Sequence, residues 1–406
     1  MQYYGTLGPS CGDEKILENM FRAGMTGIRL NLSHGDLDKS SHWLELLREA
    51  AMKAGIKGAS QILIDLQGPE LRLGRNGITC ELESGETVQL VSMGAAGQAC
   101  GESIQQKSIQ QACAEAAGQM RGESIQTNLE KEAESEHRGA AKLCVPVPDM
   151  LLYHVEAGDR ILVDDGKIEL LVKKVSGGPA TVTATTAAAP ATAPPPAALP
   201  VSVGAVVVRP GLLKPGKSLA VIGKELPMPT LTDSDRKNIG MAAEYGVTGV
   251  MLPFVRNRED LLTLRSALQA AGAEKVEIFA KIENMQGVHA IDELLPWCDQ
   301  IVIARGDLGN AMPLWKLPGI QKRLAASCRA KKKPFMVVTQ MLDSMHERAV
   351  PTRAEVLDIY NAVLDGAASV MLTGETAAGR YPVEAMEYLV RTGEEAVKDR
   401  ACEADR

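Results

Sequence analysis

A (β/α)8 barrel of the TIM type, interrupted after its third strand by a small all-β domain, is the fold class this sequence predicts. Three observations carry that expectation. Short apolar, β-branched runs alternate with amphipathic stretches of helical length over residues 1–74, and the same alternation resumes near Leu213. Between the two lies a segment of different character, made of short β-like pieces. Three strands before it and five after make eight, the number that closes a parallel barrel.

In chain order, the first part (1–74) reads as strand Tyr3–Leu7, helix Asp13–Ala23, strand Gly27–Leu30, helix Asp38–Ala54 and strand Gln61–Asp65. The inserted domain, 75–212, contains the strand-like Glu86-Thr87-Val88-Gln89-Leu90-Val91 and a hairpin over 159–168 that turns on Asp164-Asp165-Gly166. Two of its segments are expected to be flexible or weakly helical: 94–143, polar with Gly-Glu-Ser-Ile-Gln twice, and 184–200, almost all Ala, Thr and Pro. Such low-complexity stretches cannot build a core. The second barrel part, 213–397, opens with a helix start at Thr232-Asp233-Ser234-Asp235 that runs to Tyr245. Strand Val247–Leu252, helix Arg258–Ala271 and strand Val276–Ile282 follow, then a helix within Gly287–Trp297 that returns the chain for strand Gln300–Ala304. The remainder reads as helix Gln321–Ala330, strand Pro334–Thr339, helix Arg353–Leu364, strand Ser369–Leu372 and a helix from Pro382 to about Val397, with 398–406 as a tail.

Composition bounds the function. At 406 residues and 45% hydrophobic content the chain can bury a large core, and with 3% aromatics that core is expected to be aliphatic. A net charge of −7 argues against nucleic-acid or membrane-surface binding. The cysteines, at 11, 80, 100, 113, 144, 298, 328 and 402, show no close pairing and fit reduced thiols. With no apolar run of spanning length and a first motif beginning at Thr6, the expectation is a cytoplasmic protein with no membrane partner.

The chemistry concentrates on two acids, Glu283 and Asp307, each following an apolar run and so placed at the same end of neighbouring strands. In a closed α/β barrel that end collects catalytic groups. Two carboxylates about one strand spacing apart suit a hard divalent cation that takes waters and substrate oxygens as further ligands. Lys281, two residues before Glu283, points to the same face and sets an ammonium beside the metal. The plainer reading of Lys281 and Glu283 is an ion pair. Gly306 beside Asp307 favours the site, because its unhindered backbone amides can hold an anionic substrate.

A wider set of motifs resembles the pyruvate kinase family over nearly the whole barrel. They run from Thr6-Leu7-Gly8-Pro9-Ser10 and Arg29-Leu30-Asn31-Leu32-Ser33-His34-Gly35 through Asp65-Leu66-Gln67-Gly68-Pro69-Glu70-Leu71-Arg72 and Phe254-Val255-Arg256. The Lys281 and Asp307 motifs, Thr339-Gln340-Met341-Leu342, Pro351-Thr352-Arg353-Ala354-Glu355 and Gly374-Glu375-Thr376-Ala377 complete them in order. The resemblance implies phosphoryl transfer from phosphoenolpyruvate to ADP in glycolysis, with Mg²⁺ or Mn²⁺ on Glu283 and Asp307. It makes Lys281, Thr339 and Arg29 the catalytic set, with the amides of Gly306 and Asp307 on the substrate carboxylate. Asn31, Ser33, Asp65 and the Leu66 carbonyl match a K⁺ cage, and Glu70 marks the K⁺-dependent kind of member. His34, Arg72 and Lys217 match nucleotide contacts. A homo-oligomer, dimer or tetramer through the barrel, is implied as well.

Several positions depart from the family pattern. Gln67 stands where a lysine is usual, Pro253 where a serine is, and Asn310-Ala311-Met312 where Val-Glu-Ile is expected. The sequence also stops about 30 residues after the Gly374 motif, where a complete member continues into a further α/β domain of ordinary domain size that carries effector control. Effector-independent catalysis is therefore the expectation. Two other readings stay open: a metal-dependent barrel lyase acting on pyruvate enolates, and an impaired paralogue or fragment that serves as a binding or assembly partner.

Overall fold

The computed structural model describes residues 1–56, 60–74, 79–93, 143–164, 166–176, 202–224 and 226–404. The segment expected to be flexible at 184–200 lies outside them, as does 94–143 except for Leu143, which opens a strand.

Two compact units share the chain. One comprises Met1–Pro69 with Pro227–Arg406, the other Glu70–Leu226. The first begins with strands β1 (Gln2–Thr6), β2 (Gly27–Asn31) and β3 (Gln61–Asp65). The second unit holds β4 (Cys80–Leu82), β5 (Thr87–Ser92), β6 (Leu143–Val147), β7 (Arg160–Val163), β8 (Ile168–Ser176), β9 (Ser202–Arg209), β10 (Gly211–Leu213) and β11 (Leu219–Val221). The chain then returns to the first unit with β12 (Gly249–Leu252), β13 (Glu277–Ile282), β14 (Gln300–Ala304), β15 (Phe335–Val338) and β16 (Ser369–Met371).

In the first unit the eight strands close as β1-β2-β3-β12-β13-β14-β15-β16, with β16 pairing back onto β1 and every pairing parallel. This is the predicted barrel. Because both faces of such strands are covered, they read as continuous apolar runs; all five residues of β14 are buried. The aliphatic expectation needs one correction inside the barrel. Tyr4 and Phe279 fill its interior together with Leu63, Met251, Val302 and Met336. Glycines make room for the rings: a Cβ on Gly27 would come 2.7 Å from the Tyr4 ring, and one on Gly249 2.6 Å from Phe279. Each fully buried ring contributes about 1.5–3 kcal/mol relative to exposure.

Caps set the helix starts. Asp13 accepts from Lys15 N at 2.9 Å and Ile16 N at 3.1 Å, so the first helix is Glu14–Arg22. Thr232 and Asp235 form a capping box for helix Asp233–Met241, as Thr352 and Glu355 do for Arg353–Leu364. The stretch expected as one helix within Gly287–Trp297 is instead three short pieces, Met285–His289, Ile291–Leu294 and the 3-10 turn Leu295–Trp297. Asn284 caps the first, and Pro296 lies in the last. The final helix runs Pro382–Ala404, past the point where its patterning fades. Among the described residues no helix is long and apolar enough to cross a membrane.

The second unit is a six-stranded sheet in the order β11-β7-β8-β9-β5-β6 with a two-stranded sheet β10-β4. Strands β7 and β8 pair from Val163 opposite Ile168, and Asp164 and Gly166 in the connection have positive φ, 51° and 81°. Among the described residues one short helix, Asp149–His154, accompanies the strands.

Candidate active site at the C-terminal mouth of the barrel

Four charged side chains meet where β2, β3 and β13 end. Asp65, the last residue of β3, accepts Arg29 Nε at 2.9 Å and Nη2 at 2.6 Å, both on Oδ2. Lys281 Nζ lies 3.2 Å from Asp65 Oδ1 and 2.9 Å from Glu283 Oε1. The other Glu283 oxygen accepts the Phe254 N–H at 2.8 Å, a bond made by a residue held at φ 52°. The two acids are nearly fully buried, at 2–3% side-chain exposure, and Lys281 and Arg29 reach only 12–13%.

Burial at this density must be offset by pairing. Desolvation opposes the Lys281 charge, but Asp65 and Glu283 outweigh it and raise the pKa of the ammonium. Burial likewise works against ionised Asp65, yet Lys281 and Arg29 hold its carboxyl below the usual range. Glu283 goes the other way. Burial pushes it up to about 7; Lys281 opposes this, and the negative charges of Asp307 and Asp65 add to it. The mouth therefore concentrates more carboxylate around Glu283 than one ammonium neutralises.

Asp307 does not terminate a strand. It is the third residue of a six-residue helix, Arg305–Asn310, that begins directly after β14, and it is exposed. β13 and β14 are parallel neighbours with Ile282 opposite Ile303, so Glu283 and this helix leave the sheet at the same level. Asp307 adds to the negative charge around Glu283, an excess that a bound divalent ion would relieve. Among the described residues no group of three or more His, Cys, Asp and Glu could hold a metal, so further ligands would come from water or substrate.

Thr339 follows β15 with φ 76°, a backbone that β-branched residues rarely adopt. A Cβ on Gly306 would come 3.1 Å from Thr339 Cγ2, so Thr339 packs beside the Gly306-Asp307 turn. Asn31 and Asp65 are register partners on β2 and β3. Asn31 Oδ1 caps the next turn by accepting Ser33 N at 3.2 Å, which is the plain role of such a residue. Asp65 Oδ1, by contrast, accepts no conventional hydrogen bond and is ion-paired with the Lys281 ammonium at 3.2 Å. Leu66 follows directly, its N–H donated to Met251 O at 3.1 Å.

Arg72 and Lys217 belong to the second unit and are held there. Arg72 Nη2 lies 2.6 Å from Glu70 Oε2 and its Nη1 donates to Gly216 O at 3.0 Å; Lys217 Nζ lies 2.8 Å from Asp164 Oδ1. The side chain of His34 lies outside those described.

Residues 2–114 and 200–386 match the family model for pyruvate kinase, barrel domain. The chain belongs to the pyruvate kinase family. It is 35% identical over 387 residues to a pyruvate kinase of Geobacillus stearothermophilus, covering 95% of this chain and 54% of that protein. A pyruvate kinase of Clostridium acetobutylicum is 31% identical over 96% of this chain and 69% of its own length. One from Aeropyrum pernix is 33% identical, with 98% and 70% covered. The chain thus spans about half to two thirds of the length of these relatives.

Sequence reasoning missed three residues that organise this mouth. Asp235, fully buried, accepts the backbone N–H groups of Gln67 at 2.9 Å and Gly68 at 3.4 Å. It thereby fixes the segment after Asp65, at the family departure Gln67 and the residue that follows it. Glu375 accepts Leu342 N at 3.1 Å and Thr373 N at 2.7 Å, tying together the turns after β15 and β16. Arg305 binds the Thr339 turn. Asp235 had a sequence signal as the third helical residue of a capping box, and Glu375 and Arg305 sat inside matched motifs, but their long-range partners are set only by barrel closure.

Proposed function

We propose that this chain transfers the phosphoryl group of phosphoenolpyruvate to ADP, giving pyruvate and ATP. The observation that carries the reading is the ammonium of Lys281, fixed between Asp65 and Glu283 at the barrel mouth with Arg29 on the far side of Asp65. Two cations held in a water-poor site by buried carboxylates are preorganised for negative charge on a transferring phosphoryl group. Lys281 would face that charge and the nascent enolate oxygen, and Arg29 would offer its fork to phosphate oxygens. The amides of Gly306 and Asp307 would take the substrate carboxylate. The Thr339 hydroxyl beside them would lie near the methylene carbon that becomes the methyl of pyruvate. Its pKa makes it a poor acid alone, so it would order a water-linked proton path.

Mg²⁺ or Mn²⁺, bound by Glu283 and Asp307, would supply Lewis-acid stabilisation of substrate oxygens. K⁺ would be held by Asn31, Ser33, Asp65 and the Leu66 carbonyl, a proposal supported by the adjacent register positions of Asn31 and Asp65 on β2 and β3. His34, Arg72 and Lys217 are proposed for the nucleotide, whose phosphates would compete with Glu70 and Asp164 for the last two. The test is pyruvate formation from phosphoenolpyruvate and ADP with Mg²⁺ and K⁺, comparing the chain with Lys281→Met. Absence of any Lys281-dependent turnover would replace this reading with that of a binding or assembly partner.

A further inference from the structure

We propose that Arg305 is a positioning residue that holds Thr339 in its left-handed backbone and so sets where the Thr339 hydroxyl sits beside Gly306. The inference rests on the phosphotransferase reading and adds to it a residue that the reading leaves unassigned.

Two consecutive non-glycine residues, Thr339 and Gln340, have positive φ, 76° and 53°. Such strain persists only where the surroundings over-determine it. Here one side chain does so. Arg305 Nη2 donates to Thr339 O at 2.6 Å and Gln340 O at 3.3 Å, and contacts Met341 Sδ at 3.0 Å. Its Nε donates to Thr339 O at 3.1 Å and Val338 O at 3.3 Å. The remaining arm, Nη1, lies 2.5 Å from Asp358 Oδ2 on helix Arg353–Leu364. An ion pair between Arg305 and Asp358 alone would leave the other donors to solvent. Instead the guanidinium is only 12% exposed and spends them on the carbonyls of the turn.

Chemistry follows from the placement. Arg305 begins the helix that carries Gly306 and Asp307, so the same residue connects the substrate-carboxylate turn to the turn that aims the Thr339 hydroxyl. A planar fork of five N–H donors can span these acceptors at once, whereas a lysine ammonium cannot. Loss of the fork would release Thr339 towards ordinary backbone angles and displace its hydroxyl, while Lys281, Glu283 and Arg29 kept their own partners. Proton delivery to carbon should suffer more than phosphoryl transfer.

The experiment compares the unmodified chain with Arg305→Lys, Asp358→Asn and the double variant Arg305→Lys/Gln340→Gly, all with Mg²⁺ and K⁺. Two rates are read: ATP formed from phosphoenolpyruvate and ADP in a single turnover, which reports phosphoryl transfer, and exchange of pyruvate methyl protons with deuterated water, which reports proton transfer at carbon. Arg305→Lys should slow methyl exchange about a hundredfold, the scale of an ångström-size misplacement, with KM for phosphoenolpyruvate changed less than about threefold. Asp358→Asn should move exchange in the same direction by less. Gln340→Gly should restore at least about tenfold of the loss, because glycine adopts positive φ without strain. Should Arg305→Lys fail to fold, Asp358→Asn, which keeps the guanidinium, carries the same comparison. Equal loss of both rates without rescue by Gln340→Gly would overturn the positioning role alone. An inactive unmodified chain would instead overturn the phosphotransferase reading and this inference with it.

Discussion

Asp65 takes two N–H donors of Arg29 on a single oxygen, Oδ2, and turns its other oxygen to the Lys281 ammonium. One buried carboxylate therefore sets the position of both cations proposed to meet the phosphoryl group. Glu283 shares Lys281 from the other side, so the four groups form a chain in the order Arg29, Asp65, Lys281, Glu283.

Asp65→Asn should cost more than a surface acid would. The change leaves one guanidinium and one ammonium charge facing an amide at a site 3% exposed, and breaking a buried pair costs about 3–5 kcal/mol. A large drop in the urea midpoint is expected with an unchanged m-value, together with loss of turnover. A variant as stable as the parent would show that Arg29 and Lys281 find other partners.

Much of this mouth was legible beforehand, and the limits follow from what local pattern encodes. Strand positions came from apolar runs, and all eight barrel strands lie where those runs predicted, because parallel strands buried on both faces have few other readings. Lys281 and Glu283 came from two-residue alternation on β13. Asp307 was placed at a strand end by the same logic. The chain instead enters a helix at Arg305, a change that the apolar run Gln300–Ala304 cannot signal. Asp65 entered only through the resemblance, as an expected K⁺ ligand. Its bonds to Arg29 and Lys281 cross between β2, β3 and β13, and such contacts exist only once the barrel has closed.

Potassium should raise turnover above that in an organic cation at equal ionic strength. Asn31 and Asp65 are register partners on adjacent strands. Asn31→Ala should weaken K⁺ activation, seen as a higher K⁺ concentration for half-maximal rate, while leaving the Lys281 dependence intact. It should also remove the cap on the Leu32–His34 turn at a cost of about 1 kcal/mol. Equal rates with and without K⁺ would dismiss the cage.

Acid stability should depend on Asp260. Burial works against its charge, but Arg256, with Nη2 at 2.7 Å and Nε at 3.1 Å, and Thr230 Oγ1 at 2.5 Å hold its carboxyl below the usual range. A folded pKa below the unfolded value of about 3.9 means that the unfolded state binds more protons across the interval. The stabilisation is thus present above about pH 4 and lost as pH falls through the folded pKa. Asp260→Asn should cost about 2 kcal/mol at neutral pH, the scale of hydrogen bonds to a charged group. The difference from the parent should shrink in acid. Thermal unfolding with the same gap at pH 7 and well below pH 4 would contradict it.

Lys281→Met separates metal binding from catalysis. In the parent, the ammonium already offsets part of the charge on Glu283, 2.9 Å away, and so competes with a divalent ion for the same carboxylate. Removing it leaves Asp65 with Arg29 alone, and Glu283 with the Phe254 N–H and no cationic partner. The variant without added metal should lose about 3–5 kcal/mol of stability. Added Mg²⁺ should then return more stability to the variant than to the parent, because binding to the folded state alone stabilises it as RT ln(1 + [L]/Kd) and the Kd falls when a competing cation is gone. Turnover should stay absent, since the restored charge sits on the metal and not opposite the transferring phosphoryl group. The check is unfolding temperature against MgCl2 concentration for the parent, Lys281→Met and Lys281→Met/Glu283→Gln. The double variant should lose the extra Mg²⁺ response. Equal Mg²⁺ shifts in parent and Lys281→Met would mean that Glu283 does not hold the ion.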